Sequence, residues 1–324
     1  MKNFKKLIII VLTVALLTGL VSCTSAPKAS GGGDRPTIMY IAAIIGHPVY
    51  ARIEAALIEA SNDYGFDVVS TGAPNVEFDK MIECVERGIA EGVDGVISCG
   101  SPESSYIPVF TKAKDRGIKT ALFFIDLPDQ SLRTTAVISN SEQIGYDIAK
   151  ALHEQLGGAD LKLGCISGSI DAVDERIQRD GVQRYMDEHP GSEIITVVTD
   201  NWELVKTEEA FHNLLQGYSE VNAVFATHGA QAPALAKALA SLGLDTKSMP
   251  VITMDDVDEN MDALREGRLF GLMAQDFYAM GYTNGENIYK AINGETVPNL
   301  IEAPGFLITL SNIDTYMDDW AKTR

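Results

Sequence analysis

The sequence is short of positive charge, aromatic side chains and cysteine. Of its 324 residues, 26 are lysine or arginine against 45 aspartate or glutamate, giving a formal net charge of −19 at pH 7. Aromatic residues make up 7% of the chain, and its four cysteines have no metal-like spacing. Because nucleic acids and most membrane surfaces are anionic, an acidic chain of this kind is not expected to bind them.

The common catalytic motifs are also absent. There is no P-loop, no G-x-S-x-G elbow, and no G-x-G-x-x-G after the first predicted strand. A stretch starting at Asp256 resembles a calcium loop, but Met261 and Gly267 stand where such a loop needs glycine and glutamate. No pair of histidines has the spacing of a zinc site. We therefore predict no catalytic residue, no metal and no cofactor.

The chain begins with the pattern of an export signal. Three lysines precede an uncharged apolar run over 7–20, which small residues connect to Cys23. The tetrapeptide ending in Cys23 resembles the lipobox of bacterial lipoproteins, whose cysteine is acylated. The run of about 14–16 residues is short of the roughly 20 that a transmembrane helix needs. We predict a signal peptide over 1–22 and a protein lipid-anchored at Cys23 on the extracytoplasmic side of the cell membrane.

A flexible tether is predicted over 23–35, because this stretch is small, polar and rich in glycine. The residues that follow are numerous enough for two domains. Short β-rich runs alternate with amphipathic helices, which is typical of parallel sheets with right-handed crossovers. The predicted strands are 38–45, 67–70, 95–98, 120–124, 135–138, 162–166, 194–198, 223–226, 251–254 and 271–274.

Ten strands are too many for one small core, so we predict an α/β fold with two doubly wound parallel-sheet lobes. The N-terminal lobe is predicted to comprise 36–139 and 276–303, and the C-terminal lobe 140–275 and 304–324. Ligands of open α/β sheets bind beyond the carboxyl ends of the strands. Candidate site residues that directly follow predicted strands are His47, Tyr50, Asp126, Trp202, His228, Asp255 and Gln275.

The order of motifs resembles the type I periplasmic binding proteins of ABC importers, in particular the ribose- and galactose-binding group. The resemblance extends over about 37–310. It is carried by IGHPVYARIEAALIEAS, EGVDGVIS, GIKTALFFID, NAVFATHGAQAPALAKAL, VITMDD, GLMAQD and GYTNGENIYKAINGE. It implies a monomeric binding protein rather than an enzyme, which takes a sugar-like small molecule between its lobes and delivers it to an ABC permease.

The family's sugar contacts match this sequence only in part. The resemblance implies acceptors at Asp126 and Asp255, a glutamine at Gln275, and a stacking aromatic at Trp202. Where the family often has arginine, this chain has Leu127 and Gln178. Three further positions complete the implied ligand-binding site, with altered or incomplete side chains: His47, Tyr50 and His228.

Several interpretations remain open from the sequence. His47, His228 and Asp255 could cap helices, and Trp202 could pack on the surface. The acidic residues Asp171, Asp174 and Glu175 are interpreted as a solvated face. The chain could instead serve as a sensing subunit for a chemoreceptor or histidine kinase. An extracellular glycoside-processing enzyme, with Asp126 and Asp255 as its acid/base pair, is a further alternative.

Overall fold

The computed structural model describes residues 35–75, 77–100 and 104–317. The predicted signal peptide, the lipidation site Cys23, the tether up to residue 34 and the segment 318–324 lie outside the described residues. None of the helices described is both long enough and apolar enough to span a bilayer.

The described strands form two six-stranded sheets. The first contains β1 (Thr37–Ala42), β2 (Asp67–Gly72), β3 (Gly95–Cys99), β4 (Lys119–Phe123), β5 (Thr135–Ser139) and β11 (Ile301–Ala303), in the order β11-β5-β4-β3-β1-β2. All of its pairings are parallel. We call this sheet, with the helices that pack on it, the N-lobe.

The second sheet belongs to what we call the C-lobe. It contains β6 (Lys162–Ser167), β7 (Glu193–Thr199), β8 (Ala223–Ala226), β9 (Val251–Met254), β10 (Gly271–Ala274) and β12 (Phe306–Thr309), in the order β12-β10-β9-β8-β6-β7. Its pairings are parallel except that β12 runs antiparallel to β10. The predicted fold class, two doubly wound parallel-sheet lobes, is confirmed.

The described residues form ten helices. They are α1 (Pro48–Tyr64), α2 (Phe78–Glu91), α3 (Tyr106–Asp115), α4 (Ser141–Gln155), α5 (Val173–Asp187), α6 (Leu204–Gly217), α7 (Ala232–Leu242), α8 (Asp258–Arg265), α9 (Phe277–Ile292) and the short α10 (Ile313–Thr315). Two 3₁₀ turns, Gln130–Leu132 and Gly229–Gln231, complete the described helical elements.

The chain passes between the sheets three times. It leaves the N-lobe after β5, returns after β10 through α9, which packs on α1, and passes from β11 to β12 at the end. The lobe boundaries given above remain a prediction. Of the twelve described strands, the ten predicted ones do not include β11, which is only three residues long, or β12.

Each lobe has its own core because parallel strands covered by helices bury both faces. Strand β3 is buried along its whole length. The three described cysteines, Cys84, Cys99 and Cys165, are buried and form no disulfide, which is typical of cysteines that pack as small apolar residues.

Close packing of α4 on α5 depends on two glycines. A Cβ atom at Gly145 would lie 1.8 Å from the carbonyl oxygen of Gln178, and one at Gly181 would lie 1.9 Å from that of Glu142. Both distances are far inside van der Waals contact, so only glycine permits this approach. The contact fixes α5, whose first turn begins at the carboxyl end of the C-lobe sheet.

Candidate functional site

On the N-lobe side, the loop after β1 and the start of α1 place a histidine and a tyrosine. His47 is the N-cap of α1, and its Nδ1 accepts a hydrogen bond from the amide of Val49 at 3.3 Å. Its ring packs edge-on against Tyr50, with centroids 5.7 Å apart. Tyr50 in turn contacts Phe123 and Phe124 at the end of β4. The capping interpretation of His47 is therefore correct, and Nε2 is left available for a ligand.

The central feature of the C-lobe side is Glu175, in the first turn of α5. Its side chain is 2% exposed and accepts hydrogen bonds from the amide of Gly168 at 2.9 Å, Thr227 Oγ1 at 2.7 Å and Trp202 Nε1 at 3.1 Å. The expectation that Glu175 belongs to a solvated face is wrong. Its carboxylate connects the loops after β6, β7 and β8 at one point.

A second buried carboxylate, Asp200, lies beside it at the end of β7. It is 0% exposed and accepts hydrogen bonds from Thr207 Oγ1 and Gln231 Nε2, both at 2.8 Å. The amide of Trp202 donates to it at 3.0 Å, and His228 Nε2 lies 3.3 Å from its Oδ1. Burial raises the pKa of Asp200, but His228 and the other hydrogen bonds outweigh this, so the net pKa is lowered.

Trp202 is held as a partly exposed platform. Its backbone is left-handed, with φ of 56°, and its indole lies so close to Gly168 that a Cβ there would come within 2.0 Å of Nε1. The side chain remains 48% exposed although its indole nitrogen is fixed by Glu175. An aromatic face that is both fixed and exposed is suited to stacking against a ligand ring.

Asp255 and Gln275 connect the carboxyl ends of β9 and β10 to the N-lobe. Gln275 Nε2 donates to Asp255 Oδ1 at 2.8 Å, and its Oε1 accepts from the hydroxyl of Ser139, at the end of β5, at 2.8 Å. Asp255 has a left-handed backbone with φ of 66°. It does not cap the next helix, because the N-cap of α8 is Val257. Burial raises the pKa of the Asp255 carboxyl to about 6.

A carboxylate that the sequence analysis assigned to the solvent, Asp174, lies half-buried one residue before Glu175. Burial, followed by the charge of Glu175, raises its pKa to about 6, although the amides of its own helix turn and His228 act in the opposite direction. Asp174 and Asp255 both contribute to the raised pKa of Tyr50, whose main cause is burial. Residues of the C-lobe therefore lie close to Tyr50 of the N-lobe.

The charge of His228 also acts on His47 across the lobes. Burial, and then the charge of His228, lowers the pKa of His47, so its ring is neutral at pH 7. The structure thus brings together His47, Tyr50, His228, Asp255 and, through hydrogen bonds, Gln275. Trp202 is joined to this group through Asp200, which it shares with His228.

The remaining two predicted site residues are placed differently. Asp126 forms a two-pronged ion pair with Arg133, whose Nη2 lies 2.5 Å from Asp126 Oδ2. The side chain of Arg133 is 0% exposed. Gln178 lies one helical turn after Asp174 on α5 and is 3% exposed. Its Oε1 has no hydrogen-bond partner among the described residues.

A cavity of about 590 Å³ opens between the lobes. Its wall contains His47 and Pro48 from the N-lobe and Leu204, Gly229 and Asp255 from the C-lobe. Nearby, Arg52 of α1 pairs with Asp256 Oδ1 at 2.5 Å, which connects the two lobes directly. Within the described part of the chain, no group of three or more histidines, cysteines or carboxylates could hold a metal ion.

The residues that sequence reasoning missed are buried partners rather than candidate ligand contacts. Glu175 and Asp200 orient Trp202 and His228, Arg133 holds Asp126, and Ser139 holds Gln275. Ser139 reaches the C-lobe through its hydrogen bond to Gln275. A further missed residue, Asp174, acts on Tyr50 of the N-lobe. Asp174 lies in the first turn of the helix that follows β6, and this position indicates a candidate site residue. The acidic residues around it instead suggested a solvated face.

Comparison with known proteins identifies the family. A model described as a periplasmic binding protein domain matches residues 38–296. The chain belongs to the periplasmic binding protein family. The resemblance found in the sequence is therefore confirmed, and the chain is a member of a family of binding proteins, not of enzymes.

Individual relatives cover nearly the whole chain at low identity. The ribose import binding protein RbsB of Bacillus subtilis is 22% identical over 306 residues, covering 93% of this chain and 97% of the relative. The fructose import binding protein FruE of Bifidobacterium longum is 22% identical and covers 93% of both chains. The glucose-galactose binding protein GanP from Geobacillus stearothermophilus has the same fold, with a TM-score of 0.81, 21% identity, and coverage of 87% of this chain and 99% of that one.

Proposed function

We propose that this periplasmic binding protein is a lipid-anchored extracytoplasmic receptor that binds a sugar or sugar-like molecule between its lobes and delivers it to an ABC permease. The observation that carries the proposal is the cavity of about 590 Å³ whose wall contains His47 from the N-lobe and Asp255 from the C-lobe. The matched relatives named for ribose and fructose import support the choice of ligand class.

The proposed binding site consists of the eight residues predicted from the sequence: His47, Tyr50, Asp126, Gln178, Trp202, His228, Asp255 and Gln275. Sugar hydroxyls both donate and accept hydrogen bonds, so they suit a mixture of carboxylates, amides and ring nitrogens. The apolar face of a sugar ring would stack on Trp202 or Tyr50. Closure of the lobes around the ligand is a hinge motion of the kind seen in periplasmic binding proteins.

A thermal-shift screen tests the ligand class. The purified chain is screened against pentoses, hexoses, cyclitols and nucleosides, and at least one compound is expected to raise the melting temperature in a concentration-dependent way. No response across the whole panel would contradict the proposal.

Variants then test the site with the ligand so found. Gln275→Ala and Trp202→Ala are each expected to weaken binding at least tenfold, about 1.4 kcal/mol. The control is Gln216→Ala on the exposed surface of α6, which should bind as the unmodified chain does. Unchanged affinity in both site variants would show that the ligand binds elsewhere.

Anchoring is tested separately. The full chain expressed in a bacterium should fractionate with membranes, whereas Cys23→Ser should remain unacylated. Mass spectrometry of the N-terminal peptide measures the acyl mass directly. An unmodified Cys23 in the mature protein would refute the anchor without affecting the binding proposal.

Transport is distinguished from sensing by uptake. Deletion of the gene should abolish uptake of the identified ligand at low concentration if the receptor serves an importer. Normal uptake together with loss of a ligand-dependent transcriptional response would favour the sensing subunit instead.

A further inference from the structure

Two carboxylates, Asp174 and Asp255, face the cleft without an ion pair to a lysine or arginine of the described chain. Among the described residues, no other side chain donates a hydrogen bond to Asp174, and its charged form is favoured by the amides of its own turn and by the charge of His228. Asp255 receives one side-chain hydrogen bond, from the neutral amide of Gln275. Burying an ionised carboxylate without a compensating partner is costly, and closure around a ligand would bury both further.

The fixed cations on neighbouring elements are already engaged. Arg52 pairs with Asp256, Arg133 with Asp126, and Lys237 with Glu208. Arg179 donates to Ser167 Oγ at 2.6 Å and to the carbonyl of Ile170 at 2.8 Å. The three arginines cannot turn toward the cleft without losing a partner. Lys237 already lines the cavity, where its partner is Glu208.

Arg176, the remaining arginine near Asp174, is exposed on α5. It lies two residues from Asp174, and residues at that spacing do not face each other on a helix. It therefore does not balance the charge of Asp174 inside the cleft.

The two histidines do not supply the missing charge either. His228 has its own carboxylate partner in Asp200, at 3.3 Å. His47 is neutral at pH 7, because burial and His228 lower its pKa. In the cleft, Asp200 is therefore already the carboxylate partner of His228, and burial disfavours the charged form of His47.

Gln178 adds an unsatisfied acceptor to the same side of the cleft. It lies four residues after Asp174 on α5, so the two side chains share one face, and helical side chains lean toward the N-terminus. Its Oε1 is buried without a donor among the described residues. A buried acceptor left unpaired costs about 1–3 kcal/mol, so the arrangement favours a ligand rich in N–H groups.

Resting on the proposed function, we infer that the ligand is a polyhydroxylated amine, such as an amino sugar or an aminocyclitol, whose ammonium group binds to the carboxylates of Asp174 and Asp255. An ammonium group carries three donors and no acceptor, which suits a cluster of unpaired acceptors. The same carboxylates repel sugar acids and sugar phosphates. The charge of the ligand is thus set by the two carboxylates, and its hydroxyl pattern by the rest of the site.

A matched ligand series tests the inference. Each scaffold is offered as the amine, the neutral parent and the acid: glucosamine, glucose and glucuronate; galactosamine, galactose and galacturonate; an aminocyclitol and its cyclitol. Dissociation constants are measured by calorimetry at pH 7. On the scaffold that binds best, the amine is expected to bind at least tenfold more tightly than the neutral parent, and the acid should not bind.

Single-residue variants test which side chains cause the preference for the amine. Asp174→Asn and Asp255→Asn are each expected to weaken binding of the amine at least tenfold, and to weaken binding of the neutral parent less. Gln178→Arg, which adds a cation beside Asp174, should reverse the preference for the amine. The matched control Asp171→Asn lies on the exposed loop before α5 and should leave both affinities within twofold.

The outcomes separate the two proposals. A neutral sugar that binds as tightly as its amine, or an acid that binds at all, would overturn the inference and leave the proposed function intact. No binding by any member of any scaffold would contradict both. If Asp174→Asn lowered the affinities for the amine and for the neutral parent equally, Asp174 would not recognise the charge of the ligand.

Discussion

The two lobes contribute different chemistry to the same cleft. The N-lobe offers a neutral histidine and a tyrosine packed on two phenylalanines, and its nearby carboxylate, Asp126, is neutralised by the buried Arg133. The C-lobe offers carboxylates whose partners are mostly neutral: amides, hydroxyls, an indole and a glutamine.

This difference indicates a division of roles. The N-lobe side is suited to packing against a ligand, because its charges are already paired within the lobe. On the C-lobe side, Glu175 and Asp200 are fully hydrogen-bonded and hold Trp202 and His228 in place, while Asp174 and Asp255 keep capacity for a ligand. We therefore expect the C-lobe to determine which ligand is recognised.

The largest effect is expected from the N-lobe ion pair. Asp126→Ala leaves the guanidinium of Arg133 buried without its counter-ion, so the free energy of unfolding should fall by about 3–5 kcal/mol. Urea denaturation measures this. The control is Glu193→Ala, which breaks the more exposed pair with Lys162 and should cost at most about 1 kcal/mol. A loss below about 1 kcal/mol in Asp126→Ala would show that the pair is not structural.

A smaller loss is expected from the C-lobe network. Glu175→Gln keeps the shape of the side chain but replaces one carboxylate oxygen by a donor, so either Trp202 loses its acceptor or Gly168 and Thr227 both do. The free energy of unfolding should fall by about 1–3 kcal/mol. Tryptophan fluorescence should change as well, because the indole of Trp202 loses its fixed position.

The exposed Glu203, which pairs only with Lys206, offers the matched control Glu203→Gln. This variant should be within about 0.5 kcal/mol of the unmodified chain. Equal stability of Glu175→Gln and Glu203→Gln would contradict the network described for the C-lobe.

The smallest effect depends on pH. Because burial raises the pKa of Asp255 to about 6, the folded chain holds a proton more tightly than the unfolded chain, and ionisation above that pKa costs stability. Asp255→Asn should therefore be more stable than the unmodified, unliganded chain at pH 7, by about 1–2 kcal/mol. This difference in stability between the variant and the unmodified chain should disappear as the pH falls from about 6 toward about 4.

Asp245 provides a control of opposite sign. Hydrogen bonds from Ser248 and Lys247 lower its pKa, so Asp245→Asn should be less stable at pH 7, and that loss should shrink as the pH falls. Melting temperatures of both variants from pH 4 to pH 8 test the pair. A gap for Asp255→Asn that does not change with pH would contradict the assigned burial of its carboxylate.

Much of the fold follows from local sequence patterns. The strands β8, β9 and β10 occur at the predicted residues, because apolar runs bounded by turn residues leave little freedom in their placement. Strand β11 escapes prediction because a three-residue strand has no periodicity, and only its pairing with β5 makes it a strand.

The candidate site was less accessible from the sequence, for a physical reason. Residues after strands can be identified by their position, but their partners come from distant segments. Arg133 reaches Asp126 through a loop, and Glu175 reaches three loops from a helix that looks solvated by its charge. Burial of an acidic side chain depends on such tertiary contacts, which a single sequence does not reveal.

The most direct test of the central claim is a crystal structure of the chain with the tightest ligand from the screen. The account predicts that the bound molecule lies between the lobes, in contact with Tyr50 on one side and with Trp202 and Asp255 on the other. A ligand bound to only one lobe, or on a surface away from these residues, would contradict it.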